Sequence, residues 1–120
     1  MKKKVLIADA DGQFCAELIT ALNDSQKFEV VGTAADGEET IQMLQTNQAD
    51  VLVIDLLLAK YDGITVLQRM QDACKDMGIL VTTPFLSNYV ATAVAKMGIK
   101  QLLCKPCSAE TVVDSLQKIL

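Results

Sequence analysis

A chain of 120 residues has room for one domain, which we expect to span residues 1–120. A hydrophobic content of 51% can form a core without disulfides or metal, and a net charge of −4 argues against direct contact with nucleic acid. The chain has no histidine, which excludes histidine-based general-base catalysis, histidine metal sites and a phosphohistidine donor.

Apolar runs and helical patterns alternate along the first half of the chain. The run 5–8 is short and continuous, which is typical of a strand buried on both faces. Apolar residues then recur at helical spacing from Cys15 to Leu22, and 28–33 predicts a second strand. Asp36 can cap a second helix. The run 51–54 predicts a third buried strand, which ends at Asp55.

The pattern continues after a turn at Asp62 and Gly63. Apolar residues at helical spacing from Leu67 to Met77 predict a third helix that reaches Gly78. Residues 79–83 then predict a fourth strand.

The last third of the chain predicts a helix from Val90 to Met97, closed by Gly98, then a short strand over 101–104 and a helix capped by Ser108. Five strands thus alternate with five helices. Such alternation is typical of right-handed crossovers, so we predict an α/β fold with a doubly wound parallel sheet and helices on both faces.

Polar residues follow the predicted strands at the ends where an open parallel sheet binds its ligands. They are Asp9 and Asp11 after the first strand, Asp55 after the third, Thr83 after the fourth and Lys105 after the fifth. Any one such aspartate is more often a loop or helix cap. Together, clustered carboxylates suit Mg²⁺, a carboxylate can accept a phosphoryl group, and an ammonium and a hydroxyl can neutralise the transferred oxygens.

In this arrangement the chain resembles the receiver domains of two-component response regulators. The likeness runs from about Lys4 to Leu120 and is carried by Asp9 after VLIA, Asp55 in VLVIDLLLAKYDG, Thr83 and Lys105-Pro106. The stretches FEVVGTAADGEETI and DVLVIDLLLAKYDGITVLQRM are most similar to the receivers of sporulation-type transcription regulators. The resemblance implies a flavodoxin-like (βα)5 fold with strand order 2-1-3-4-5.

The same resemblance implies a role for each site residue. Asp55 would accept the phosphoryl group, and Mg²⁺ would bind Asp9, Asp55 and the backbone carbonyl of Leu57. Lys105 would pair with the phosphoryl group, and the peptide bond that follows it would be cis. Thr83 would move toward the phosphoryl group and switch the face formed by the fourth helix, fifth strand and last helix. The chain would be no enzyme beyond its own phosphorylation and dephosphorylation.

Four features depart from the family pattern. Ala10 stands where the family has a second acidic residue, which predicts weaker Mg²⁺ binding. Pro84 follows Thr83 and supplies no backbone N–H for a phosphoryl oxygen. Leu102 replaces an aromatic residue, and Leu58-Ala59 replaces Met-Pro.

No apolar run is long enough to span a membrane and no signal peptide is evident, so we expect a cytoplasmic protein without membrane contact.

We expect its four cysteines to be thiols: Cys15, Cys74, Cys104 and Cys107. The last two form a C-x-x-C motif, which invites a redox interpretation. A redox motif normally opens a helix after an early strand, however, and this one lies at the last crossover.

Two functions remain open. In the first, the chain receives a phosphoryl group from a histidine kinase or phosphotransfer protein. In the second, it is a degenerate receiver that binds or dimerises without phosphorylation. In either case it could form a homodimer, with Tyr89 and Leu102 as exposed apolar groups, and a DNA-binding effector domain could follow outside this chain.

Overall fold

The computed structural model describes residues 1–119 and forms one five-stranded parallel sheet wrapped by helices. Its elements in chain order are β1 Lys3–Ala8, α1 Gly12–Ser25, β2 Phe28–Ala34, α2 Gly37–Thr46, β3 Val51–Asp55, α3 Gly63–Arg69, α4 Gln71–Cys74, β4 Gly78–Thr83, α5 Asn88–Lys96, β5 Gln101–Cys104 and α6 Ala109–Gln117. The strand order β2-β1-β3-β4-β5 confirms the predicted topology.

The central strands bury both faces, as their apolar sequences predict. Val5 and Ile7 of β1 point into one core cluster, and Leu6 and Ala8 point into the other. The first cluster includes buried side chains of α1 and α6, and the second includes buried side chains of α2, α3, α4 and α5. The sheet therefore separates two aliphatic cores, with helices on both faces.

The third predicted helix differs from the structure. It is divided into α3 and α4 at Met70, whose φ of −108° and ψ of 26° lie outside the helical region. Its predicted end at Gly78 is also wrong, because Gly78 is the first residue of β4 and pairs with Val51. A Cβ atom on Gly78 would lie 2.5 Å from Cγ2 of Ile119, so close packing accounts for this glycine.

Caps begin the helices where the sequence predicts them. Asp36 accepts a hydrogen bond from the backbone N–H of Glu39, and Ser108 accepts one from Thr111. Gly98 follows α5 with a φ of +79°, a conformation that glycine adopts without strain. These local signals set the helix boundaries, and the apolar runs between them set the strands.

Candidate functional site

The carboxyl ends of the strands bring three of the predicted residues into direct contact. Asp9 follows β1, Asp55 ends β3 and Lys105 follows β5. Nζ of Lys105 donates hydrogen bonds to Oδ2 of Asp9 at 2.7 Å and to Oδ2 of Asp55 at 3.0 Å. The side chains of Lys105, Asp9 and Asp55 are only 17%, 3% and 8% exposed. One ammonium therefore bridges two buried carboxylates where the strand order reverses.

The surroundings of Lys105 favour its charged form. Burial by itself would lower the pKa of Lys105, but the hydrogen bonds and charges of Asp9 and Asp55 outweigh burial and raise it. Nζ also lies 4.7 Å from the centroid of the Phe14 ring, within the range of a cation–π interaction. Sequence reasoning missed Phe14, since an apolar residue at helical spacing predicts only core packing.

The remaining carboxylate oxygens accept backbone hydrogen bonds. Oδ1 of Asp9 accepts from the N–H of Asp11 at 2.9 Å, and Oδ1 of Asp55 accepts from the N–H of Leu57 at 2.9 Å. These bonds orient both carboxylates. The N–H of Leu57 thus points to Asp55, whereas its carbonyl is the group that the sequence predicts as a metal ligand.

The acidic residues at this end fit a small cation site with two carboxylates. Ala10 is exposed and contributes no ligand, and Oδ1 of Asp11 accepts from the N–H groups of Gln13 and Phe14 as the cap of α1. Within residues 1–119, no group of three or more acidic, histidine or cysteine side chains could hold a metal. Mg²⁺ is commonly held by one or two carboxylates together with phosphate and water, so Asp9 and Asp55 fit it.

Thr83 lies at the same edge, but its hydroxyl is engaged elsewhere. The backbone N–H of Phe85 donates to Oγ1 of Thr83 at 3.1 Å, spanning Pro84, which has no N–H. The N–H of Lys105 donates to the carbonyl of Thr83 at 2.8 Å. Thr83 is therefore linked to Lys105 through the main chain, and its buried side chain makes no hydrogen bond to Asp55.

The loop after Asp55 is tied to the start of α2. Lys60, with a φ of 68°, places its Nζ 3.4 Å from Asp36 and 3.3 Å from Glu38. Gly37 passes so close to the carbonyl of Tyr61 that no Cβ would fit. These contacts support the loop that carries Leu57.

Large apolar side chains surround this edge of the sheet. The exposed ones are Leu57, Phe85, Leu86 and Tyr89. The prediction for Tyr89 is thus confirmed. The prediction for Leu102 is wrong, because its side chain is half-buried and packs against the core cluster that contains Val81 and Val94.

The four cysteines are free thiols in the structure. Cys15 and Cys74 are buried, Cys107 is half-buried and Cys104 is exposed. Burial raises the pKa of the Cys107 thiol, which disfavours the reactive thiolate. The bond between Lys105 and Pro106 is cis, as the resemblance predicts.

The fold and site define a class: a doubly wound α/β domain with two carboxylates and one lysine at the topological switch point. A family model described as "Response regulator receiver domain" matches residues 5–117. The chain belongs to this family, which serves two-component signalling.

One transcriptional regulatory protein resembles this chain over the full length of the chain. The chain is 28% identical, over 120 residues, to the alkaline phosphatase synthesis transcriptional regulatory protein PhoP of Bacillus subtilis. The match covers 100% of this chain and 49% of PhoP, so the chain spans about half the length of that relative.

Two solved structures can be compared directly. The chemotaxis response regulator CheY4 of Vibrio cholerae is 30% identical, with a TM-score of 0.87 and 100% of both chains covered. A response regulator of Burkholderia pseudomallei, described with a phosphorylated aspartic acid, a calcium ion and citrate, is 25% identical, with a TM-score of 0.83 and coverage of 97% of this chain and 67% of that one.

The narrower likeness to sporulation-type regulators stays a prediction, as do the extent of the domain and the cytoplasmic location. Among the described residues, no helix is both long and apolar enough to cross a membrane.

Proposed function

We propose that Asp55 accepts a phosphoryl group from the phosphohistidine of a histidine kinase or phosphotransfer protein. A carboxylate oxygen of Asp55 forms the new P–O bond while the P–N bond to the imidazole breaks, and the imidazole takes up a proton as it leaves. The observation that carries this proposal is the bridge from Lys105 to Asp9 and Asp55. An ammonium in this position would neutralise the negative charge that develops during transfer, which supports the proposal.

Each residue of the site has a defined part in this proposal. Asp9, Asp55 and the carbonyl of Leu57 hold Mg²⁺, which supplies neutralising charge for the phosphoryl oxygens. Lys105 moves from its carboxylate partners to the phosphoryl group. Thr83 exchanges its hydrogen bond from Phe85 for one to a phosphoryl oxygen, and this movement acts on the face of α5, β5 and α6.

The test is incubation of the protein with acetyl phosphate and Mg²⁺, followed by intact mass measurement. We expect one phosphoryl group per chain, and none in Asp55→Asn. Asp24→Asn is the matched control, because it removes an exposed carboxylate far along α1. Absence of modification of the wild-type protein, or equal modification of Asp55→Asn, would contradict the proposal.

A second candidate function is a receiver that works without phosphorylation. Ala10, Pro84 and Leu102 favour it, since they remove a metal ligand, a backbone donor and the aromatic switch residue of the family. Isothermal titration tests the metal site that the first function needs: we expect Mg²⁺ to bind more weakly than in receivers with a full acidic pair, and more weakly still in Asp55→Asn. Wild-type protein that binds no Mg²⁺ would favour the second function.

The partners that we propose follow from phosphoryl transfer to Asp55 and from the likeness to PhoP, a transcriptional regulatory protein. We propose a histidine kinase or phosphotransfer donor, a homodimer through the α5, β5 and α6 face, and a DNA-binding effector domain in the same regulator. The chain would catalyse no reaction beyond its own phosphorylation and dephosphorylation. Sedimentation equilibrium with and without beryllofluoride tests the homodimer, and a monomer under both conditions would exclude it.

A further inference from the structure

A cavity lies at the opposite end of the sheet from Asp55. It has a volume of about 730 Å³ and lies between the starts of β4 and β5 and the ends of α4, α5 and α6. Small-molecule sites commonly have this size. Its main apolar lining residues are Leu67, Met77, Ile79, Met97, Ile99 and Ile119.

Four lysines also line the cavity: Lys75, Lys96, Lys100 and Lys118. They are four of the 11 basic residues of an otherwise acidic chain. No carboxylate side chain of residues 1–119 lines the cavity, and none of the four lysines forms an ion pair within that range. The opening therefore combines an apolar floor with four lysine charges that form no ion pair within the described part of the chain.

The partial negative charges at nearby helix ends offset only part of the positive charge of these lysines. Lys96 lies in the last turn of α5, and Lys75 and Lys118 directly follow α4 and α6. Each helix end carries the equivalent of roughly half a negative charge, so the ends of α5 and α6 offset about one lysine. Lys100 directly precedes β5, where no helix end explains it.

We propose that this cavity binds a small organic anion with an extended apolar body, such as a medium-chain carboxylate. The apolar part lies against Met77, Met97 and Ile99, where burial of its surface drives binding. The anionic group lies at the opening beside the lysines, partly desolvated by the floor, where charge pairs are stronger than in open water. This site is separate from the proposed phosphorylation site and does not depend on it.

The experiment uses octanoate and its neutral analogue octanamide with the whole chain, followed through the methyl signals of Met77, Met97 and Ile99 by NMR. We expect saturable shifts of these methyls with octanoate and clearly weaker binding of octanamide. The affinity for octanoate should also fall with added salt, because the charges at the opening are exposed.

Paired variants test the role of the lysines. The double variant Lys96→Gln with Lys100→Gln should bind octanoate roughly threefold to tenfold more weakly, as expected for the loss of two partly exposed charge pairs. The double variant Lys2→Gln with Lys27→Gln changes the net charge equally but lies away from the cavity. It should bind like wild type. Thermal unfolding checks that both variants fold.

Four results would overturn the proposal. They are equal affinity for octanoate and octanamide, equal weakening by the two double variants, methyl shifts confined to the exposed Leu57 and Leu86 at the other end of the sheet, and no shifts at millimolar octanoate. Sedimentation with phosphatidylglycerol vesicles in the absence of methyl shifts would assign the lysines to a membrane surface, which also contradicts the proposal.

Discussion

The two ends of the sheet handle charge in opposite ways. At the carboxyl end, one lysine is nearly buried and bonded to two buried carboxylates, so each charge has a partner. At the amino end, four exposed lysines surround a cavity and form no ion pair within residues 1–119. Buried charges must be paired, whereas exposed ones are stabilised by water. The charges at the carboxyl end are therefore held by one another, and those at the amino end face solvent.

The largest expected effect distinguishes lysines at the two ends. Lys105→Met leaves Asp9 and Asp55 buried without their shared cation, so we expect a loss of about 3 kcal/mol in the free energy of unfolding at neutral pH. Lys96→Met is the matched change at the amino end and should cost less than about 1 kcal/mol. Urea denaturation measures both. Equal effects would mean that the bridge at the carboxyl end contributes little.

A second prediction concerns packing at the amino end. Gly78→Ala places a Cβ 2.5 Å from Cγ2 of Ile119, so the end of the chain must shift, and we expect a loss of about 1–2 kcal/mol. Gly12→Ala is the control, because a Cβ at Gly12 meets nothing within 4 Å and lies at the start of α1. If urea denaturation finds that Gly12→Ala is less stable than Gly78→Ala, close packing does not explain Gly78.

A third prediction separates capping from metal binding at the carboxyl end. Asp11→Ala removes the hydrogen bonds that cap α1 and should lower the free energy of unfolding by about 1 kcal/mol. It should leave Mg²⁺ affinity nearly unchanged, since the side chain of Asp11 is engaged by the helix. A large loss of Mg²⁺ affinity in isothermal titration would instead place Asp11 among the metal ligands.

The smallest effect is a pH dependence at the start of α2. The N–H of Glu39 and the nearby charge of Lys60 lower the pKa of Asp36 below its ordinary value of 3.8. Its carboxylate therefore stabilises the fold above that pH, and this contribution disappears as the pH falls through the lowered pKa. Asp36→Asn keeps a capping side chain but should not show this dependence.

Thermal unfolding of wild type and Asp36→Asn between neutral and acidic pH measures the difference. We expect the two proteins to differ at neutral pH and to converge at acidic pH. A constant difference across this range would show that the charge of Asp36 plays no part.

Sequence reasoning predicted much of the fold because its signals are local. Apolar runs identified the strands, Asp36 and Ser108 marked helix starts, and parallel strand ends placed Asp9, Asp55 and Lys105 at one edge. The strand order came from the family resemblance. The break at Met70 was not predicted, and the burial of Leu102 could not be, because it depends on packing against residues of other elements such as Val81 and Val94. The contact between Lys105 and Phe14 could not be predicted either, because it joins residues that lie far apart in sequence.

Thr83 illustrates a different limit. Its position at the end of a strand was predictable, but the direction of its hydroxyl depends on which donors the next residues offer. Pro84 removes the nearest backbone donor, and the N–H of Phe85 takes its place. Such an exchange depends on backbone angles that a sequence pattern does not specify.

The separation of the core by the sheet has a consequence for how substitutions combine. Leu22 and Val66 are both fully buried, but they belong to different core clusters on opposite faces of the sheet. No residue is a member of both clusters. When two residues share no packing partners, the losses of unfolding free energy caused by their substitutions usually add to within about 0.5 kcal/mol. The face of α1 and α6 can therefore accumulate sequence changes almost independently of the face of α2 to α5, with the backbone of the sheet as their common boundary.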